Sequence, residues 1–197
     1  MPKFILASQS PRRAQLLRQL GIEFDTIPSN VDESLIPRVK PVAYVKKLAS
    51  MKAKAVAKKV KEGIIISADT MVVLDGKLIG KPKDMSDASA TIRSLSGKVH
   101  LVVSGVCIMD KSTGKTKTTA TTTRVKFREL SDDLIKWYLG TGEPLGKAGS
   151  YGIQGKGAIL IEWIKGDYSN VVGLPLVTFA KMLEDMGIKL GNSRFQN

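Results

Sequence analysis

What this chain lacks narrows its chemistry before any motif is read. A single cysteine, Cys107, excludes an internal disulfide framework. A single histidine, His100, excludes a His-rich zinc site and leaves little basis for a Ser-His-Asp triad. No apolar run approaches the roughly 20 residues that span a bilayer. The first residues run straight into an apolar strand and a charged helix, unlike a secretory leader. A soluble cytoplasmic protein is therefore expected, with no membrane partner. Carboxylates are also in deficit: 18 Asp and Glu stand against 31 Lys and Arg, a formal charge of +13. Such an excess attracts polyanions, whether nucleic acid, nucleotides or acidic lipid. Most of it is lysine on predicted helices, without an aromatic-interleaved stripe, and there is no RNA-binding or zinc-finger signature. Internal repeats, low-complexity blocks and linkers are absent. The 43% hydrophobic content suits a folded globular protein, and 197 residues allow one large domain or two small lobes sharing a core.

The stretch Ser8-Gln9-Ser10-Pro11-Arg12-Arg13 stands out among what is there. Lys3 to Ala7 before it reads as a short apolar strand, and Ala14 to Leu20 after it as a helix with Leu16, Leu17 and Leu20 on one face. Ser10 occupies an N-cap position, Pro11 the first helical position, and Gly21 follows the end. Arg12 and Arg13 then lie in the first turn, where the helix already carries partial positive charge and unpaired N–H groups. Either both point into solvent, or an anion joins them in a phosphate cradle of two hydroxyls, two guanidiniums and a helix N-terminus.

Along the chain, Ile22 to Ile27 alternates as a strand, and a polar loop carries Asp32-Glu33. Paired acids in a loop are usually just solvated. Pro41 opens a long helix through about Lys61, with Val45, Leu48, Ala49, Ala53, Val56 and Val60 on its apolar face. Lys52 falls inside that stripe, so it either snorkels out or holds a buried anion. Ile64 to Ala68 is a continuous apolar run, a strand covered on both faces that ends in Asp69-Thr70. The end of such a strand is where α/β proteins often place catalytic groups. On this reading Asp69→Asn changes charge and leaves the fold intact. An Asp75-Gly76 hairpin delivers Gly80-Lys81-Pro82. A helix capped by Ser86 or Asp87 runs through Leu95. Val99 to Met109 and Thr116 to Phe127 are strands, Ser131 to Leu139 a helix, and residues 140–157 a glycine-rich segment suited to close approach to a ligand. Ala158 to Ile164 is a strand, 166–173 a loop, and Leu174 to Met186 the last helix. Gly114-Lys115-Thr116 resembles the end of a P-loop, but Met109 stands where the first glycine belongs and a strand follows, so that motif is rejected.

Arg12, Arg13, Glu33, Lys52, Asp69, Lys81 and Lys147 are expected on loops or element ends. Cations with two carboxylates suit a polyphosphate and a divalent metal held through oxygen. With no histidine in place, an aspartate would orient or deprotonate the attacking water. No serine or cysteine has an activating base nearby, which argues against a covalent intermediate.

The ordered motifs carry a resemblance. They are Ser8 to Arg13; Val31-Asp32-Glu33; Leu48-Ala49 with Lys52-Ala53; Ser67-Ala68-Asp69-Thr70; Gly80-Lys81-Pro82; Leu95-Ser96-Gly97; Val125 with Phe127; Gly142-Glu143-Pro144; Lys147-Ala148-Gly149 with Tyr151 to Gly155; and Val172 to Leu176. Together they cover about residues 3–188, and the chain resembles the Maf family of nucleoside triphosphate pyrophosphatases. That resemblance implies hydrolysis of an NTP at the α-phosphate to NMP and pyrophosphate. It implies Asp69 as proton acceptor, Glu33 near the metal and water, and Arg13, Lys52 and Lys81 on the phosphates, with Ser8, Ser10 and Arg12 in the cradle. Asp69 and Glu33 would hold Mg²⁺ or Mn²⁺. Arg12, Thr70 and Gln154 match the branch preferring dTTP and UTP. The implied fold is α/β: a mixed, bent central sheet flanked by helices, in two lobes with a cleft, similar to ITP/XTP pyrophosphatases and often a homodimer. Residues 1–191 would form this one domain and 192–197 a frayed tail. Gly146 departs from the pattern, standing where the family usually has an aspartate, which removes a carboxylate beside Lys147. Two rival readings stay open: a purine-preferring, ITP-like pyrophosphatase, and a basic nucleic-acid-binding regulator of cell division.

Overall fold

The run Ile64–Leu74 is apolar except at Ser67, Asp69 and Thr70, is rich in β-branched residues, and forms one strand without a break. A computed structural model of the chain describes residues 3–32 and 40–190. Its elements are β1 (Phe4–Leu6), α1 (Pro11–Gln19), β2 (Phe24–Thr26), α2 (Pro41–Ala57), β3 (Ile64–Leu74), β4 (Lys77–Ile79), α3 (Met85–Leu95), β5 (Val99–Asp110), β6 (Thr116–Phe127), α4 (Asp132–Gly140), β7 (Ile161–Lys165), α5 (Tyr168–Val172) and α6 (Leu176–Asp185). The strands pair in the order β2-β1-β3-β5-β6-β7, with β4 on β3. β2, β1 and β3 are parallel, with Leu6 opposite Thr26 and Ile66. β4 and β7 join antiparallel to β3 and β6. The sheet is therefore mixed, and helices cover it. No helix among the described residues is long and apolar enough to cross a membrane.

Two compact units share these elements. The first comprises Met1–Asp69, Ser104–Thr121 and Gly173–Asn197, the second Thr70–Val103 and Thr122–Val172. In the first, α2 packs Ala49, Ala53, Val56 and Ala57 on Ile5, Ala7, Ile65 and Cys107. The fit leaves no room at Gly105, where a Cβ would lie 2.3 Å from the Val45 carbonyl oxygen. Small residues on both sides thus let α2 sit close to the sheet. In the second unit, Ile92 and Leu95 of α3 and Ile135 and Tyr138 of α4 pack with Val72, Val102, Phe127 and Tyr151.

Several boundaries differ from the sequence expectation, each for a local reason. β3 does not end at Asp69: Thr70 is β-branched and the apolar Met71 to Leu74 continues the strand, so Asp69 lies mid-strand. α2 stops at Ala57 rather than Lys61, because the Lys59 N–H turns to the Val56 carbonyl and tightens the last turn. α3 is capped by Asp84, whose side chain accepts from the Asp87 N–H at 2.8 Å, while the Asp87 carboxylate accepts from the Lys83 N–H at 2.9 Å. Residues Lys156–Leu160 form a 3-10 turn before β7, and the 166–173 loop contains α5. The tail 192–197 lies outside the described residues.

Candidate active site

β1 is apolar and buried, and its chain leaves the sheet into the polar turn Ser8-Gln9-Ser10. Ser10 caps α1 with Pro11 in the first turn and no acidic residue there. The Ser8 Oγ accepts from the Ser10 N–H at 3.2 Å and from Arg13 Nη1 at 3.1 Å. Arg13 Nε donates to the Gly173 carbonyl at 2.9 Å. Arg13 is therefore anchored, not splayed into water, and Arg12 is half-buried beside it in sequence. The result is a helix N-terminus bearing two guanidiniums and two hydroxyls without a carboxylate in its first turn, a strongly anion-attracting arrangement.

Lys52 resolves the ambiguity of the apolar stripe. Its Nζ lies 2.7 Å from Asp69 Oδ1, with the two side chains 12% and 8% exposed. The pairing follows from two periodicities. Ala49 and Lys52 are three apart on α2, and Ser67 and Asp69 are two apart on β3, so each pair shares a face. The Ser67 Oγ donates to the Ala49 carbonyl at 2.6 Å, one step before the ion pair. Asp69 Oδ2 is buried and has no hydrogen-bond partner among the described residues. A carboxylate oxygen withdrawn from water is costly to leave bare. This one is suited to a proton, a water or a hard cation. No group of three or more His, Cys, Asp or Glu able to hold a metal occurs among the described residues, so any ion there must draw further oxygens from elsewhere, as Mg²⁺ commonly does from substrate and water. Glu33, the second expected ligand, lies outside the described residues. Since β1 and β3 are parallel and Leu6 faces Ile66, Ser8 and Asp69 both lie beyond that pairing toward its C-terminal end, where open α/β sheets bind ligands.

The second unit holds the remaining expected residues. Thr70 follows Asp69 directly and is half-buried; Lys81 and Gln154 are exposed; Lys147 is half-buried. The Gly149 N–H donates to the Gly80 carbonyl at 3.0 Å, tying the residue before Lys81 to the glycine-rich loop. Lys147 Nζ donates to the Glu143 backbone carbonyl.

Two groups in this unit received no role from sequence reasoning. Glu143 accepts from the Tyr138 hydroxyl at 3.1 Å and the Gly157 N–H at 3.0 Å on Oε1, and from the Lys156 N–H at 2.8 Å on Oε2. Burial pushes its carboxyl up, but these hydrogen bonds and the Lys147 charge outweigh burial and leave it below its usual range. His100 is 1% exposed. Its Nε2 sits 2.8 Å from the Tyr151 hydroxyl, and its ring meets Phe127 and Tyr151 edge-on. Burial lowers its pKa from 6.5 to about 4 and raises that of Tyr151. Glu143 was visible as a lone acid in a glycine-rich run; His100 gave no signal beyond being the sole histidine.

A family model described as Maf-like protein matches residues 3–186. A dTTP/UTP pyrophosphatase of Pyrococcus furiosus is 52% identical over 192 residues, covering 96% of this chain and 98% of its own. One of Dictyoglomus turgidum is 49% identical over 189 residues, covering 95% and 98%. A nucleoside-triphosphatase, dITP/XTP pyrophosphatase, of Mycobacterium abscessus aligns with 94% of this chain and 97% of its own at a TM-score of 0.47 and 13% identity, too remote to bear on the chemistry.

Proposed function

Since this chain belongs to the Maf-like family, we propose that it is a nucleoside triphosphate pyrophosphatase that hydrolyses dTTP or UTP to the nucleoside monophosphate and pyrophosphate. The observation that carries this reading is the buried Lys52–Asp69 pair with its uncompleted Oδ2, beyond the C-terminal end of β3's pairing with β1, where Ser8 also leaves the sheet. Relatives named dTTP/UTP pyrophosphatase at about half identity over nearly the whole chain support the substrate.

The roles follow from the chemistry of each group. Ser8, Ser10, Arg12 and Arg13 at the α1 N-terminus take phosphate oxygens. Asp69 Oδ2 accepts the proton of the attacking water, whose oxygen forms the new bond to the α-phosphorus as the bond to the bridging oxygen breaks. Pyrophosphate leaves with its charge met by the cradle, and the family resemblance also assigns Lys81 to the phosphates. Lys52, 2.7 Å from Oδ1, holds Asp69 in place. A carboxylate oxygen offers two lone pairs, so Asp69 with Glu33 can also hold Mg²⁺ or Mn²⁺. When bound, such a cation would neutralise phosphate charge. Arg12, Thr70 and Gln154 set the preference for a pyrimidine base. The family resemblance also supports a cytoplasmic homodimer, testable as twice the chain mass by light scattering.

The decisive experiment is product analysis over a panel of NTPs with Mg²⁺ or Mn²⁺. Monophosphate and pyrophosphate from dTTP and UTP are expected. Diphosphate and orthophosphate would refute attack at the α-phosphate, and preferential turnover of ITP would move the specificity to purines. Undiminished turnover in excess EDTA would refute the metal.

A further inference from the structure

The glycine-rich loop is held at two places, and Gln154 lies between them. On one side the Tyr151 hydroxyl meets the buried His100 Nε2 at 2.8 Å. On the other, the Lys156 and Gly157 N–H groups converge on the Glu143 carboxylate at 2.8 and 3.0 Å. The Gly155 N–H donates to the Gly152 carbonyl at 3.3 Å, closing the turn that carries Gln154. Two glycines make the seat. A Cβ at Gly155 would lie 2.4 Å from Glu143 Oε2, and one at Gly157 would lie 2.8 Å from both the Gly152 carbonyl oxygen and the Tyr138 hydroxyl. Gln154 itself is exposed, so nothing on its own side chain is needed to fix its backbone.

We infer that Glu143 is a positioning residue that clamps this loop and thereby presents the Gln154 amide to the base of a pyrimidine nucleotide. This rests on the reading of the chain as a dTTP/UTP pyrophosphatase. The chemistry of the clamp is particular. Three donors point at Glu143, so its head must accept at both oxygens. An ionised carboxylate does so; a carboxamide would turn an NH₂ toward one of the loop N–H groups. The chemistry of the target is also particular. A Gln amide shows a donor and an acceptor side by side, which match the adjacent carbonyl and N3–H of uracil or thymine. A loop that wanders would still meet the phosphates through other residues but would lose that paired contact.

The test compares Glu143→Gln and the milder Tyr138→Phe with wild type by hydrogen exchange and by kinetics. Glu143→Gln should lose protection at Lys156, Gly157 and the loop amides while β3, β5 and β6 remain protected. KM for UTP and dTTP should rise about tenfold or more with kcat nearly unchanged, the signature of a contact made equally in the ground and transition states. Inhibition by pyrophosphate, which has no base, should be unaltered. Tyr138→Phe should move the same readouts in the same direction by less. The inference is overturned if the loop stays protected in Glu143→Gln, if protection is lost while KM for UTP is unmoved, or if pyrophosphate inhibition weakens as much as UTP binding. Failure of the underlying reading looks different: wild type itself would release no pyrophosphate from UTP or dTTP, while the exchange arm would still report on the clamp.

Discussion

Asp69 in the first unit has one oxygen on Lys52 Nζ and the other without a partner among the described residues, whereas Glu143 in the second accepts hydrogen bonds at both. The difference lies in who completes the carboxylate. Glu143 is finished by backbone N–H groups and a tyrosine, so it acts inside the protein as a brace. Asp69 is given one cation and left with a bare oxygen in a buried place. Bare buried oxygens are unfavourable, and a fold retains one where a ligand supplies the missing partner. By this logic a substitution at Asp69 should register chiefly in turnover, and one at Glu143 chiefly in loop order and KM.

The largest effect that separates them is expected from Asp69→Asn. It should lower kcat by about 10²-fold or more, the range of a lost general base. The sequence reading has this variant folding normally, whereas the buried pairing with Lys52 leads to the expectation of a lower stability. Asn removes the carboxylate that the buried Lys52 meets at 2.7 Å, and breaking a buried pair by removing one partner costs about 3 kcal/mol. The double variant Asp69→Asn with Lys52→Met should recover stability and not activity. Thermal melting and single-turnover kinetics on the three proteins check both halves; a double variant that regains turnover would show Asp69 to be only a structural anion.

Arg13→Ala should come next, with KM raised and kcat lowered by about tenfold together, because in the proposed site Arg13 would meet phosphate charge before and during reaction. Steady-state kinetics with UTP reads this. A smaller effect, confined to stability, is expected from Gly105→Ala. The added Cβ falls on the backbone of α2 at Val45, and overpacking of this kind costs about 1–3 kcal/mol. Chemical denaturation measures it. An unchanged midpoint would mean that the seat of Lys52 is looser than the contact implies.

The two carboxylates were unequally legible in the sequence. Lys52 stood out because it breaks a helical apolar stripe, and such a break demands a partner. Its partner was named independently, but their contact required the seating of α2 on β3, which depends on Gly105 and on residues far apart in the chain. The apolar run stops at Ala68, so the strand reads as ending in Asp69-Thr70; here Asp69 is paired with Lys52 and the strand runs on to Leu74. Ser10 and Pro11 announced the α1 cap through local backbone chemistry alone. Glu143 had no such local signature. Its donors come from Tyr138, five residues before, and from residues 156–157, so its role exists only once the loop has folded back. Glu33, the other expected metal ligand, lies outside the described residues.

The smallest expected effect belongs to the second unit and to pH. His100 has a folded pKa of about 4 against an ordinary 6.5, because burial disfavours its charged form. Between those values the unfolded chain binds more protons than the folded one, so stability must rise with pH there and fall as acid is added. The contribution is complete at neutral pH and amounts to a loss of about 1 kcal/mol between about pH 7.5 and about pH 5.5, or a melting temperature lower by about 3 °C. Glu143 works in the same direction but in a lower window: its carboxyl is held below the usual range, so its stabilisation is present above its unfolded pKa and is lost as pH falls through the folded one. The upper window therefore reports on His100 alone of these two groups. His100→Gln should lower stability at neutral pH, since it loosens the contact with Tyr151, yet flatten the slope between about pH 7.5 and about pH 5.5. Melting curves across that range decide the matter. If the slope persisted in His100→Gln, the acid-sensitive group would lie elsewhere.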